Sequence, residues 1–441
     1  MAKRKRVLSG MRPTGRLHIG HYFGALQNWV ALQNKIDPKT GEPEYECFFP
    51  VVDWHALTTG YEDTSSIAEN TLQIAMDWLS VGLDPGKSTI FIQSQVLEHA
   101  ELDVILSMIT PLGLLERVPT YKEQIENLKD KDLGTYGFLG YPLLQTADIV
   151  LYGEPRQELL VPVGEDQVPH IELAREVARR FDVHFGVEVT DELFLDANAA
   201  ELRRIFALFP TKGETFEPSR SAYERFFKTE IAAIGFENFL AKIGRGKHYF
   251  KMRAVLIEPQ VMLTETPRLP GTDGRRMAKS YGNFISLSEP LDSLRNKVRN
   301  MMTDPARVRR TDPGNPDVCP VFSYHKLFSG QETIDRVNRE CRTAEIGCVD
   351  CKKLMADALV SWIEPIQAKR REFESHPQRV WDILDEGSKR AQKTARKTMK
   401  RVRDAVFGWD AVRNAAAEQA DASAAPKVNP KTGAKNVASG D

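Results

Sequence analysis

No run of about 18 apolar residues occurs in this chain of 441 residues, so no membrane-spanning helix is expected. No secretory leader is expected either. Met1–Arg6 is basic, but Gly10, Pro13 and Gly15 interrupt the stretch that would have to form its apolar region. Charge of one sign is not in excess: the net charge is −1, so composition names no partner, although local basic clusters still can. Cysteine is scarce and odd in number, with five residues, which argues against a disulfide framework. Internal repeats are absent. What is present is 41% hydrophobic residues, enough for real cores, and a length that suits two or three domains. A soluble cytoplasmic protein is the expectation.

Val7–Leu8, Cys47–Val52 and Thr89–Gln93 read as buried strands. Helical periodicity follows each of them, over Gly20–Leu32, Ile67–Val81 and from about His99. Leu143–Tyr152 and Ile171–Arg180 read as further helices, on either side of Val161–Gln167. Strands alternating with helices predict a parallel sheet covered on both faces, with ligands bound beyond the carboxyl ends of the strands. Ser9-Gly10 and Asp53 to His55 fall there. From about Ser288 to Gly408 the pattern is mostly helical. Ala415–Asp441 is small, polar and poor in apolar residues, the composition of a disordered tail.

Two short segments carry the chemistry. Arg16-Leu17-His18-Ile19-Gly20-His21 opens a helix after a Gly/Pro turn, Ser9–Gly15. His18 and His21, three apart, share one face near a helix N-terminus, an end that favours anions. Arg276-Met277-Ala278-Lys279-Ser280 follows the Gly-rich Pro270–Gly274 and supplies cations. Neither segment has a nucleophile or metal-ligand spacing. Each alone is an ordinary surface feature. Together they suit a triphosphate, whose transfer chemistry needs positioning and charge rather than covalent catalysis.

Gly15–His21 and Arg276–Ser280 resemble the HIGH and KMSKS signatures of class I aminoacyl-tRNA synthetases. Ser9–Ala25, Tyr141–Tyr152 and Val161–Gln167 with His170 narrow the resemblance to the tryptophanyl-tRNA synthetases, over about 7–186 and 255–410. The resemblance implies an α/β fold: a Rossmann-like parallel-sheet catalytic domain plus an α-helical C-terminal anticodon-binding domain. It implies ATP with Mg2+, L-tryptophan and tRNA(Trp) as substrates, and a homodimer. Arg12, Pro13, Thr14, Gly20 and His21 would cradle ATP, with His18 and His21 on its phosphates. Gly164, Glu165 and Asp166 would hold the ribose and adenine side. Arg276, Met277, Ala278, Lys279 and Ser280 would close over the pyrophosphate, and Lys122 would reach it too. Asp148 matches the carboxylate that accepts the indole N–H, and a carboxylate built around a donor rejects analogues that lack it. Tyr141 and Gln167 match positions facing the substrate amino group.

The chain departs from the family pattern at Arg276 and Ala278, where the signature has lysine and serine, and in a longer Gly153–Leu160 connection. A third departure is an apparent insertion over about 187–254. There Tyr223, Phe226, Phe227, Ile231 and Ile234, then Phe236, Phe239, Leu240 and Ile243, give two apolar faces at helical spacing. The division expected is 1–186 and 255–287 for the catalytic domain, 288–410 for the anticodon domain and 411–441 for the tail. Cys319, Cys341, Cys348 and Cys351 have nearly the spacing of a bacterial branch of the family that holds a [4Fe-4S] iron–sulfur cluster. Four thiolates suit such a cluster or zinc, and both readings stay open beside no metal at all. Lys389, Arg390, Lys393, Arg396, Lys397, Lys400, Arg401 and Arg403 form a basic run expected to meet tRNA phosphates, with Arg295, Lys297 and Arg299 as possible additions. Tyrosyl-tRNA synthetase, a small-molecule nucleotidyltransferase and a non-catalytic RNA-binding paralogue are the competing readings. Gly164–Gln167, the C-terminal helices and the intact His18, His21, Asp148 and Lys279 argue against them in turn.

Overall fold

The computed structural model describes residues 4–119, 134–210, 216–264, 269–410, 412–414 and 416–417. Among the described residues seven strands form: β1 (Lys5–Leu8), β2 (Tyr45–Val51), β3 (Ser88–Ile92), β4 (Leu159–Val163), β5 (Val187–Val189), β6 (Phe250–Met252) and β7 (Gln260–Leu263). Five make one parallel sheet in the order β3-β2-β1-β4-β7. These strands are apolar almost without alternation because helices cover both faces. The chain first builds outward from β1 through β2 to β3, then returns to the other side of β1 for β4 and β7. That reversal opens a crevice between the carboxyl ends of β1 and β4.

The strand β4 was not expected, because Pro162 argues against a central strand. The register explains the tolerance. The N–H of Thr264 bonds Val163 O on the β7 side, so Pro162 faces β1, whose pairing with β4 ends at Leu160. Pro142 likewise hid the first turns of the helix that in fact spans Tyr136–Val150. The helix after β1 starts over Ile19–His21, widens to a π-helical stretch over Tyr22–Leu26 and returns to α over Gln27–Asn34.

The expected helical C-terminal segment comprises Leu291–Arg299, Pro320–Phe328, Gln331–Arg342, Cys348–Ser375 and Pro377–Val406. It shares its cores with the sheet. Leu359, Ile363, Val380 and Leu384 belong to one hydrophobic cluster with β1 and β2, and Ala391, Ala395, Met399 and Val402 belong to the other. The last of these helices lies against β3 and seals that edge. Ile92 N–H donates to Ser388 Oγ at 3.3 Å, and Gly387 leaves no room for a side chain against Ile90 O.

Part of the basic run is engaged within the chain. Arg390 donates to the carbonyls of Pro85 and Ser88, Arg396 pairs with Glu98, Arg403 with Glu101, and Arg401 donates to Gly153 O. Lys400 meets Asp404 and Asp410. Four of the eight cations thus fasten the helix to the sheet side of the fold, while Lys389, Lys393, Arg396, Lys397 and Lys400 stay exposed.

Within 187–254, β5 and β6 pair antiparallel beside the helices Ala199–Ala207, Arg220–Ile234 and Phe236–Ile243. Gly235, at φ +85°, separates the last two. Phe227, Ile231, Phe239 and Ile243 are buried in a separate cluster with Phe209 and Phe250. Among the described residues no helix is long and apolar enough to cross a membrane. Lys122 and most of the expected tail lie outside the described residues.

Candidate active site

The two motif segments are interlocked. Ile19 N–H donates to Ile285 O at 3.0 Å and Leu287 N–H to Leu17 O at 2.9 Å, which zips the stretch after the basic loop onto the histidine segment. Lys279 Nζ donates to Thr14 O at 2.7 Å. Gly20 is required by close approach: a Cβ there would lie 2.9 Å from the His18 ring and 3.3 Å from Met277 Sδ. Asn283 braces the loop, accepting from Ala278 N–H at 2.9 Å and donating to Arg276 O at 3.0 Å. Arg276 and Ser280 are exposed at the rim.

His18 and His21 stack with ring centroids 3.7 Å apart. Burial pushes His18 down to about 4, helped by the Lys279 charge. Burial, His18 and Lys279 push His21 down to about 3. Both imidazoles are therefore neutral near pH 7. The backbone N–H of His18 donates to His21 Nδ1 at 3.2 Å, so the neutral His21 ring carries its proton on Nε2, free to donate. The site offers neutral N–H donors plus the Lys279 ammonium, itself lowered by burial.

A cleft of about 440 Å³ opens at the β1–β4 crevice. Gly10, Met11 and Arg12 after β1, Gly164 and Gln167 after β4, and Tyr141 and Asp148 on the helix Tyr136–Val150 line it. Gly24 and Ala25 come from the π-helical stretch, and a Cβ at Gly24 would meet nothing within 4 Å, so open space lies over that position. Asp148 is 3% exposed. It accepts from His99 Nδ1 at 2.7 Å, Gln93 Nε2 at 2.8 Å and His55 Nε2 at 3.0 Å. Burial alone would raise this carboxyl, but His99 and the hydrogen bonds from His55 and His99 outweigh it and bring it to about 2. A permanently charged acceptor in an apolar cleft is an orienting group for a ligand N–H.

The family profile described as tRNA synthetases class I (W and Y) matches residues 1–195 and 238–364. A tryptophan–tRNA ligase of Ralstonia nicotianae is 47% identical over 408 residues, 91% of this chain and 98% of the relative. The chain belongs to the tryptophan–tRNA ligase family. A Thermotoga maritima ligase is 44% identical over 91% of this chain and 98% of its own length. Among solved structures, tryptophanyl-tRNA synthetase from Campylobacter jejuni, complexed with ADP and tryptophan, superposes with a TM-score of 0.66 at 27% identity, covering 90% of this chain and 98% of that one.

Seen as a tryptophan–tRNA ligase, the chain brings its expected residues into two groups. Tyr141, Asp148, Gln167, Gly164 and Arg12 share the cleft, while His18, Gly20, His21, Thr14, Met277 and Lys279 gather where the two motif segments interlock. Pro13 is buried in the turn between them, and Glu165 and Asp166 are exposed beside Gly164. The residues 196–237 left out by the family profile lie inside the expected insertion. Three supporting residues were not foreseen: Gln93, His99 and Asp77. Asp77, 1% exposed, accepts Leu17 N–H at 2.7 Å and pairs with the buried Arg370, bolting the histidine segment to the helix Cys348–Ser375. Burial raises Asp77 to about 6 against the pull of Arg370. An acid at an otherwise apolar position of Ile67–Ser80 was the available signal.

The four cysteines gather at one corner of the helical segment. Cys319 precedes Pro320–Phe328, Cys341 lies in Gln331–Arg342, and Cys348 and Cys351 open Cys348–Ser375. Burial and then the three neighbouring cysteines push the Cys351 thiol up to about 12, and its Sγ meets His325 Nε2 at 3.5 Å. Among the described residues no group of three or more His, Cys, Asp or Glu is arranged to hold a metal ion.

Proposed function

We infer that this protein joins L-tryptophan to tRNA(Trp) in two steps. The tryptophan carboxylate attacks the α-phosphorus of ATP, carried with Mg2+ as substrate, giving tryptophanyl-adenylate and pyrophosphate. The acyl group then passes to the terminal ribose of the tRNA. The observation that carries the reading is that the chain joins Lys279 to Thr14 beside the stacked His18 and His21, and that Arg12, two residues before Thr14, lines a cleft with Asp148. Charge that develops on the departing pyrophosphate meets Lys279, Arg276 and the imidazole N–H donors. Asp148 takes the indole N–H, and Tyr141 and Gln167 take the amino group. Charging of tRNA(Trp) with tryptophan tests this. Charging of tRNA(Tyr) with tyrosine by the same protein would overturn it.

The homodimer has its own support. Leu97, Val104, Met108 and Leu112 are 54–77% exposed along and just beyond the helix Glu98–Ser107, and Tyr136 is 65% exposed. Such a stripe suits burial against a second copy. Light scattering at twice the chain mass is expected, and a monomer would contradict it.

For Cys319, Cys341, Cys348 and Cys351, four neighbouring thiols are the donor set of an iron–sulfur cluster or of zinc. Their arrangement in this structure does not present a finished metal site, so no step of the reaction is drawn through one. Iron, sulfide and zinc analysis of anaerobically purified protein distinguishes the two loads from neither.

A further inference from the structure

We propose that His55 is a stand-in for the ligand's ring N–H: it holds the cleft-side acceptor position of Asp148 in the empty protein and yields it when tryptophan binds. The inference rests on the tryptophan reading and names the exchange on which its selectivity turns.

Each oxygen of Asp148 is already doubly engaged. Oδ1 accepts from His99 Nδ1 at 2.7 Å and Gln93 Nε2 at 2.8 Å, and Oδ2 from Gln93 Nε2 at 2.8 Å and His55 Nε2 at 3.0 Å. Three donors thus surround a carboxylate that offers about four lone-pair sites, Gln93 Nε2 being shared between both oxygens, and His55 takes the position facing the cleft. Two of its donors are fixed from behind. The Gln93 carboxamide oxygen accepts Trp54 N–H at 3.1 Å, which sets the amide orientation, and His99 Nε2 meets the Tyr152 hydroxyl at 2.9 Å. Both side chains are fully buried and neither lines the cleft.

His55 differs on each count. It lines the cleft, and its contact is the longest of the four. Among the described residues its Nδ1 has no hydrogen-bond partner. It sits just after β2, in the first turn of the helix Asp53–Gly60. Asp103, on the neighbouring helix Glu98–Ser107, is within electrostatic reach of both His55 and Asp148, so a displaced imidazole still has an acid beside it. An indole N–H entering from the cleft reaches Asp148 by replacing one donor with another. A ligand without that N–H finds the imidazole in its place. Rejection then comes from the retained imidazole and not from a stranded charge, since Gln93 and His99 keep Asp148 paired throughout.

The test follows the His55 Nε2–H signal in full-length protein with nitrogen-15-labelled histidine, assigned by its loss in His55→Gln. Tryptophan is expected to shift or abolish the signal, and β-(benzothiophen-3-yl)alanine, with sulfur in place of the N–H, to leave it. In steady-state exchange, His55→Ala is expected to lower the KM for tryptophan about tenfold with the KM for ATP unchanged, because the internal competitor is gone. A signal that survives saturating tryptophan, or a KM for tryptophan that stays level or rises, overturns the proposal. Absence of tryptophan-dependent pyrophosphate exchange by the unaltered protein would overturn the functional reading itself.

Discussion

Asp148→Asn and Asp148→Ala separate the two jobs of one carboxylate. Alanine removes the acceptor from His55, Gln93 and His99 together. Gln93 and His99 have no solvent exposure, so each becomes a buried donor without a partner. At about 1–3 kcal/mol apiece the expected loss of stability is about 2–6 kcal/mol, with His55 free to turn to water in the cleft. Asparagine keeps the shape and one acceptor oxygen but points an NH2 at a donor, so about 1–3 kcal/mol is expected. On the ligand side a charge-assisted hydrogen bond of about 1.5–3 kcal/mol is lost, and kcat/KM for tryptophan falls about 10- to 150-fold. Urea unfolding, run beside tryptophan-dependent ATP–pyrophosphate exchange, reads both effects. Wild-type unfolding of Asp148→Ala, or wild-type kcat/KM in Asp148→Asn, would refute the reasoning.

Three further outcomes follow from other contacts. In Gly387→Ala the added methyl would stand 1.8 Å from Ile90 O, a backbone atom of β3, so the last helix must lift from the sheet edge; a loss of about 1–3 kcal/mol or more in thermal unfolding is expected, and an unchanged midpoint contradicts it. Lys279→Met removes the cation of the loop, so kcat for pyrophosphate exchange should fall about 10²–10³-fold with the KM for tryptophan within a few-fold; an unaffected kcat would exclude a role in charge stabilisation. For pH, His18 and His21 lie at about 4 and 3, below their ordinary 6.5. The folded state thus binds fewer protons than the unfolded one, and their contribution to stability is present above about 6.5 and lost as pH falls toward 4 and 3, while Asp77, raised to about 6, pulls the opposite way between about 4 and 6. Ring-proton NMR should find both imidazoles neutral down to pH 5, and midpoints near 6.5 would contradict the burial argument.

The two motif segments that the structure brings together were legible because each is local in sequence. His18, Gly20 and His21 share one turn, and Arg276 to Ser280 one loop, so residue type and spacing carry the signal. The sheet was partly legible: β1, β2 and β3 are apolar runs flanked by helical periodicity, whereas β4 hides behind Pro162 and β7 is a short strand with polar Gln260. What supports the site was not legible. Gln93, His99 and Asp77 matter only through partners about 50 to 300 residues away, such as Asp148 and Arg370. The basic run was legible as a run of charge but not in its internal partners. Its spacing reads as a solvated or phosphate-facing helix, and only the tertiary packing shows Glu98, Glu101 and the Gly153 carbonyl engaging Arg396, Arg403 and Arg401.

ATP–pyrophosphate exchange with tryptophan and tyrosine offered separately tests the central claim most directly. The account predicts exchange with tryptophan and none above background with tyrosine. Exchange driven by tyrosine, or by neither amino acid, would contradict it.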